Sequence, residues 1–178
     1  KLNQNVLKNL EGLLFPIALM FEKDEIIISN TVSKKIIYSN FYSITIFINE
    51  ILKLNKDEKK MNIIGFGSIS ANIGRHVNTF YSASKKALET YFESLIITTL
   101  RQNINVQFYI LGYLDTGLSF EKKLLLPKGS TKKLAKFVFS NLNISGDKFF
   151  FPFWWKLISL AINILPFSIV KFIVKRIN

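Results

Sequence analysis

Three short runs, "GLLFPIAL" (12–19), "MNIIGF" (61–66) and "INVQFYIL" (104–111), are nearly continuous in apolar residues. A strand with one wet face alternates polar and apolar side chains, so an unbroken run marks a strand covered on both faces. The segments between these runs have a different period. From Val32 to Leu54 the apolar positions Ile36, Ile37, Phe41, Ile44, Phe47, Ile48, Ile51 and Leu52 recur at helical spacing. From Phe80 to Arg101, Ala87, Leu88, Tyr91, Leu95 and Ile96 do the same. Strands that alternate with helices in this way predict an α/β fold with a parallel sheet covered on both sides. A further helix is expected over 131–142 and a short fourth strand at "DKFFF" (147–151), after a loop over 112–130 that carries a short helix.

Composition narrows the chemistry. No cysteine is present, which excludes disulfides, thiolate metal sites and cysteine nucleophiles. The single histidine, His76, leaves little room for a histidine metal site. The net charge of +12 suggests an anionic partner, although a chain this rich in Lys, Ile, Asn and Phe also owes charge to compositional drift. Nucleic acid is disfavoured, because the aromatic residues gather in an apolar tail instead of interleaving with cations. No GxGxxG or Walker loop occurs in the sequence.

In such a sheet, sites form at the carboxyl ends of the strands. Ser68 follows the second strand, Gly112 and Thr116 follow the third, and Ala18 ends the first. Tyr81 and Lys85, at the start of a helix, lie four residues apart and share one face. A free phenol exchanges its proton reluctantly near neutrality, and an ammonium one turn away favours the phenolate. Alone, the pair reads first as an ordinary helix start with a surface lysine.

The segment "GSISANIGRHVNTFYSASKKAL" resembles the active-site segment of the short-chain dehydrogenase/reductases. The family sets a serine thirteen residues before the tyrosine of a Tyr-x-x-x-Lys motif, as Ser68 stands to Tyr81 here. It also uses an asparagine a little under thirty residues before that serine, where Asn40 stands. The resemblance implies a Rossmann-like doubly wound sheet and hydride exchange between NAD or NADP, not distinguished here, and a keto or alcohol group. Tyr81 would be the acid/base, Ser68 would hold the substrate oxygen, and Lys85 would tune Tyr81 and bind the nicotinamide ribose. Asn40 would anchor a water leading from Lys85 to solvent.

The same resemblance places Ala18, Tyr81, Lys85, Gly112, Leu114 and Thr116 against the cofactor. The family's proline before Gly112 is Leu111 here, and "FPIA" stands where many relatives carry Asn-Asn-Ala-Gly. Arg75 and His76, before the tyrosine, are read first as a solvated loop and second as a phosphate contact. Lys86 is read as a solvated neighbour of the site.

The resemblance covers roughly residues 12–150, so 1–151 is expected to be the C-terminal part of the catalytic domain. The half that carries the glycine-rich cofactor loop is expected to precede Lys1, and the chain by itself to bind cofactor poorly. The tail 152–178 has no acidic residue, and Lys156, Lys171, Lys175 and Arg176 give it a positive charge. Its uncharged run, Leu157–Val170, is broken by Pro166 and is shorter than the ~20 residues a bilayer crossing needs. A hydrophobic helical hairpin lying on an anionic membrane is expected, or else a cover over the site or a dimer contact.

The tail pattern, together with Arg75 and Asn78, resembles reductases of lipid-linked sugars. It implies a lipid-linked or nucleotide-linked sugar substrate and a cytoplasmic protein peripheral at the inner face of the membrane. A homo-oligomer or an oxidase partner would fit that setting. A small ketone, a 3-oxoacyl thioester or an inactive membrane-bound remnant are the alternatives.

Overall fold

Four parallel strands in the order β1-β2-β3-β4 form the sheet of the computed structural model: β1 (Gly12–Phe15), β2 (Met61–Ser68), β3 (Ile104–Leu111) and β4 (Asp147–Phe151). The structure describes residues 9–21, 29–55, 60–74, 77–119, 126–144, 146–169 and 171–172. Register runs Gly12↔Asn62, Met61↔Ile104 and Gln107↔Asp147, so the carboxyl ends of all four strands lie along one edge.

The helices are α1 (Asn30–Ile37), α2 (Ser43–Leu54), α3 (Thr79–Thr99), α4 (Thr131–Ser140) and α5 (Trp155–Ile164). The central strands β2 and β3 are covered on both faces, which explains their unbroken apolar runs. β1, at the edge of the sheet, is not the doubly covered strand its run predicts, since Gly12 and Leu14 are exposed and only Phe15 is buried. Along β2, Met61 and Ile63 join Ile44, Ile48, Leu88 and Phe92 in the larger core, on the side of α2 and α3. Ile64 and Phe66 point the other way and pack with Tyr109 and Val138 under α4. Gly65 lets α3 approach closely: a Cβ there would fall 2.4 Å from the Phe92 ring.

The differences from the sequence expectations have local causes. The first strand ends at Phe15, because Pro16 has no N–H to donate to a ladder. The second runs two residues further than expected, to Ser68, paired with Leu111. The first long helix begins at Asn30 under a Ser29 cap, whose Oγ accepts from Val32 N at 3.3 Å. A wider π-helical turn at Tyr38–Tyr42 separates α1 from α2. Beyond α5 the backbone extends at Leu165, as expected of a residue before proline, and 167–169 are helical again. Among the described residues only α5 of the expected tail hairpin forms as a full helix, and no helix is long and apolar enough to cross a membrane.

Candidate active site

Lys85 is the centre of the arrangement. It sits on α3 one turn after Tyr81, and only 2% of it is exposed. Its Nζ donates to Ile17 O at 2.8 Å, in the loop after β1, and to Phe66 O at 3.0 Å, in β2. Among the described residues no carboxylate neutralises it, and burial lowers its pKa to about 8. A buried ammonium without a carboxylate partner is costly, so its persistence needs a purpose. Two of its three N–H donors are spent on carbonyls, and a hydroxyl-bearing group suits the third.

Asn40 is wholly buried in the π-helical turn. The wider turn inserts one extra residue and re-aims the side chain inward; such bulges are frequent at functional sites. Its Oδ1 accepts from Leu19 N at 2.6 Å, and its Nδ2 donates to Leu19 O at 2.8 Å. The same Nδ2 donates to Ser84 Oγ at 3.1 Å, and Ser84 Oγ donates to Tyr81 O at 2.7 Å. Asn40 and Lys85 therefore grip one loop, 16–19, on either side of Ala18. The direct role of Asn40 is to order that loop against α3. Asn40 is joined through Ser84 to the Tyr81 carbonyl, and Asn40 and Lys85 bond Leu19 and Ile17, the neighbours of Ala18.

Tyr81 is 8% exposed in the first turn of α3. The helix starts at Asn78, whose left-handed φ of 56° is a conformation asparagine tolerates, and Ser82 N donates to Asn78 O at 2.8 Å. Ser68 ends β2 two residues after Phe66, so it sits on the same strand edge as the Lys85 contact. It caps a 3-10 turn, Ile69–Asn72: its Oγ accepts from Ser70 N at 3.2 Å and from Ser70 Oγ at 2.9 Å.

The residues after β3 stand differently. Gly112 N donates to Phe151 O at 2.9 Å, and a Cβ at Gly112 would fall 1.7 Å from Trp155 Nε1. The absence of a side chain at Gly112 therefore makes room for α5. Leu114 bridges to Gly129, and Thr116 is exposed on the loop beyond, its N–H donating to Leu114 O at 3.0 Å. Lys86 pairs with Glu89 at 3.2 Å and is exposed, as a solvated neighbour should be. Arg75 and His76 lie outside the described residues.

Three contributors escaped the sequence reading: Ser84, Ser70 and Trp155. Ser84 was detectable as a hydroxyl at i+3 from Tyr81; the contact of Trp155 with Gly112 has no local signal.

Residues 17–124 match the family model described as short chain dehydrogenase. Among curated proteins, the chain is 32% identical over 123 residues to Hydroxysteroid 11-beta-dehydrogenase 1-like protein A of Xenopus laevis, covering 66% of this chain and 42% of that protein. It is 31% identical over 102 residues to the corresponding protein B of the same species, covering 54% and 35%. The chain thus spans about two-fifths or less of the length of these relatives. Among solved structures, 4-hydroxyisoleucine dehydrogenase complexed with NADH superposes with a TM-score of 0.67 at 20% identity, covering 79% of this chain and 66% of that one. The same enzyme with NADH and succinate gives 0.69 at 21%, covering 83% and 69%. These likenesses show the Rossmann-type fold. With a family model covering more than half of the sequence, the chain belongs to the short-chain dehydrogenase family.

Proposed function

We propose that this chain carries the catalytic residues of an NAD- or NADP-dependent oxidoreductase that reduces a keto group or oxidises the corresponding alcohol. The observation that carries the reading is Lys85, a buried ammonium held by two backbone carbonyls one turn from Tyr81. Its unspent donor fits the ribose hydroxyls of a nicotinamide cofactor, which when bound supplies or accepts the hydride. Tyr81 gives its phenolic proton to the developing alkoxide in reduction, and the Lys85 charge stabilises the phenolate left behind. Ser68 donates a hydrogen bond to the same oxygen, which positions it and offsets its charge. Asn40 keeps the 16–19 loop, and with it Ala18, against this site; the cofactor contacts of Gly112, Leu114 and Thr116 rest on the family resemblance alone.

The substrate we propose is a lipid-linked or nucleotide-linked sugar. The tail is similar in pattern to that of the reductase subunit of decaprenylphosphoryl-ribose 2′-epimerase, as are Arg75 and Asn78 before the tyrosine. An oxidase would be the natural partner of such a reductase.

The geometry of α5 supports a membrane-facing role at the inner leaflet. Its inner stripe, Trp155, Ile158, Ser159 and Ile162, is buried or half-buried, and Ser159 Oγ accepts from Asn72 Nδ2 at 2.5 Å. Its outer stripe, Leu157, Leu160, Ala161 and Ile164, follows the same i, i+3, i+4, i+7 spacing and faces outward; Leu157 is 68% and Ile164 71% exposed. Lys156 precedes this apolar face in sequence and Lys171, over the Phe167 ring, follows it, with no acid between them. Apolar area edged with cations suits an anionic bilayer surface.

The test uses the full natural protein with NADH and NADPH, comparing a polyprenylphosphoryl keto-sugar with diacetyl. Preference for the lipid-linked substrate supports the sugar assignment; equal or better use of diacetyl overturns it. In flotation with phosphatidylglycerol vesicles, Leu157→Glu with Leu160→Glu should abolish binding while turnover of diacetyl persists. Undiminished flotation of that variant would remove the membrane assignment and leave the oxidoreductase reading intact.

A further inference from the structure

The hydroxyl of Ser68 can serve the substrate only if something sets the direction of its proton. Ser70 stands in that place. It is the second residue of the 3-10 turn and is 8% exposed. Its backbone N–H donates to Ser68 Oγ at 3.2 Å and its own hydroxyl donates to the same atom at 2.9 Å. Building on the oxidoreductase reading above, we propose that Ser70 is a positioning residue that makes Ser68 an obligate donor to the substrate oxygen.

A serine hydroxyl has one proton and two lone pairs. The Ser70 N–H fills one lone pair of Ser68 Oγ. If the Ser70 hydroxyl fills the other, the Ser68 proton is all that remains to point into the site. If Ser68 instead gave its proton to Ser70 Oγ, it would turn a lone pair toward a carbonyl oxygen that also has only lone pairs, and the two would repel. The Ser70→Ser68→substrate chain polarises further as negative charge builds on the substrate oxygen, so its effect falls on the transition state. The N–H contact alone cannot do this, because it leaves the second lone pair open and the proton free to rotate.

The role separates cleanly from capping. The N–H that Ser68 caps belongs to the backbone of Ser70 and survives any side-chain change at position 70. Ser70→Ala therefore keeps the turn and removes only the second donor. Diacetyl reduction by the full natural protein should lose about three- to tenfold in kcat, the rate equivalent of one neutral hydrogen bond. The KM for NADH or NADPH and the midpoint of thermal unfolding should stay put. Ser70→Thr, which keeps the hydroxyl, should recover most of the loss.

The deciding comparison is a double-mutant cycle with Ser68→Ala. In the Ser68→Ala background, Ser70→Ala should have no further effect on kcat. An equal effect in both backgrounds, or an unchanged kcat in the Ser70→Ala single variant, overturns the proposal while the Tyr81 and Lys85 assignment stands. A Ser68→Ala protein with wild-type turnover would overturn this proposal together with the assignment of Ser68.

Discussion

Replacing Tyr81 with phenylalanine should lower kcat by roughly a hundredfold to ten-thousandfold, the range a positioned acid/base contributes. The change deletes one oxygen and leaves the ring that α3 has already buried. Lys85 keeps both carbonyl partners, Ile17 and Phe66, so the part of the site assigned to the ribose is undisturbed. Affinity for NADH or NADPH, followed by the fluorescence of the reduced nicotinamide, should therefore hold within about twofold, well under the cost of one lost hydrogen bond. A variant in which kcat and cofactor affinity fall together would mean that Tyr81 shapes the site and does not supply the proton.

Lys85→Met should be as damaging to turnover and should also weaken cofactor binding, because it removes both the charge and the donor. Its second signature is in stability. Burial sets the Lys85 pKa at about 8, against 10.5 for an ordinary lysine. Below pH 8 folded and unfolded chains both hold the proton, and the fold bears the full cost of the buried charge, roughly 3 kcal/mol. Between 8 and 10.5 the fold has released the proton and the unfolded chain has not, so stability climbs with pH. The methionine variant lacks that climb. Urea unfolding across this window should show the wild type gaining roughly 3 kcal/mol on Lys85→Met, whatever the constant offset from unpaired carbonyls. A flat difference would mean that Lys85 is solvated.

Most of the scaffold is legible from local pattern, because burial on both faces of a parallel sheet forces continuous apolar runs. The third strand and its bounds, Ile104–Leu111, follow from that alone. The apolar run overshoots the first strand because "PIAL" stays apolar after Pro16 has ended the ladder. The π-helical turn around Asn40 is invisible to a period search: one inserted residue barely disturbs the apolar spacing, yet it re-aims the side chain toward Leu19 and Ser84. Spacing found Asn40 as a candidate, but its grip on the 16–19 loop depends on a contact across 21 residues of sequence. Gly112 matched a family position, and the structure adds a packing reason for it, the indole of Trp155 more than forty residues later. Thr116, matched in the same stretch, is exposed beyond the Leu114–Gly129 bridge. Ser70 was unremarked because its meaning lies in its bond to Ser68, and sequence spacing carries no information about which hydroxyl donates.

The central claim is that Tyr81 and Lys85 serve a hydride exchange between a nicotinamide and a carbonyl carbon. Its most direct test supplies the full natural protein with NADH or NADPH deuterated at the transferable position, together with a polyprenylphosphoryl keto-sugar or diacetyl. The alcohol product is then read by mass spectrometry. One deuterium on the carbinol carbon with the wild type, and next to none with Tyr81→Phe over the same interval, is the result predicted. Absence of transfer from both cofactors to both acceptors, or transfer undiminished in Tyr81→Phe, would contradict it.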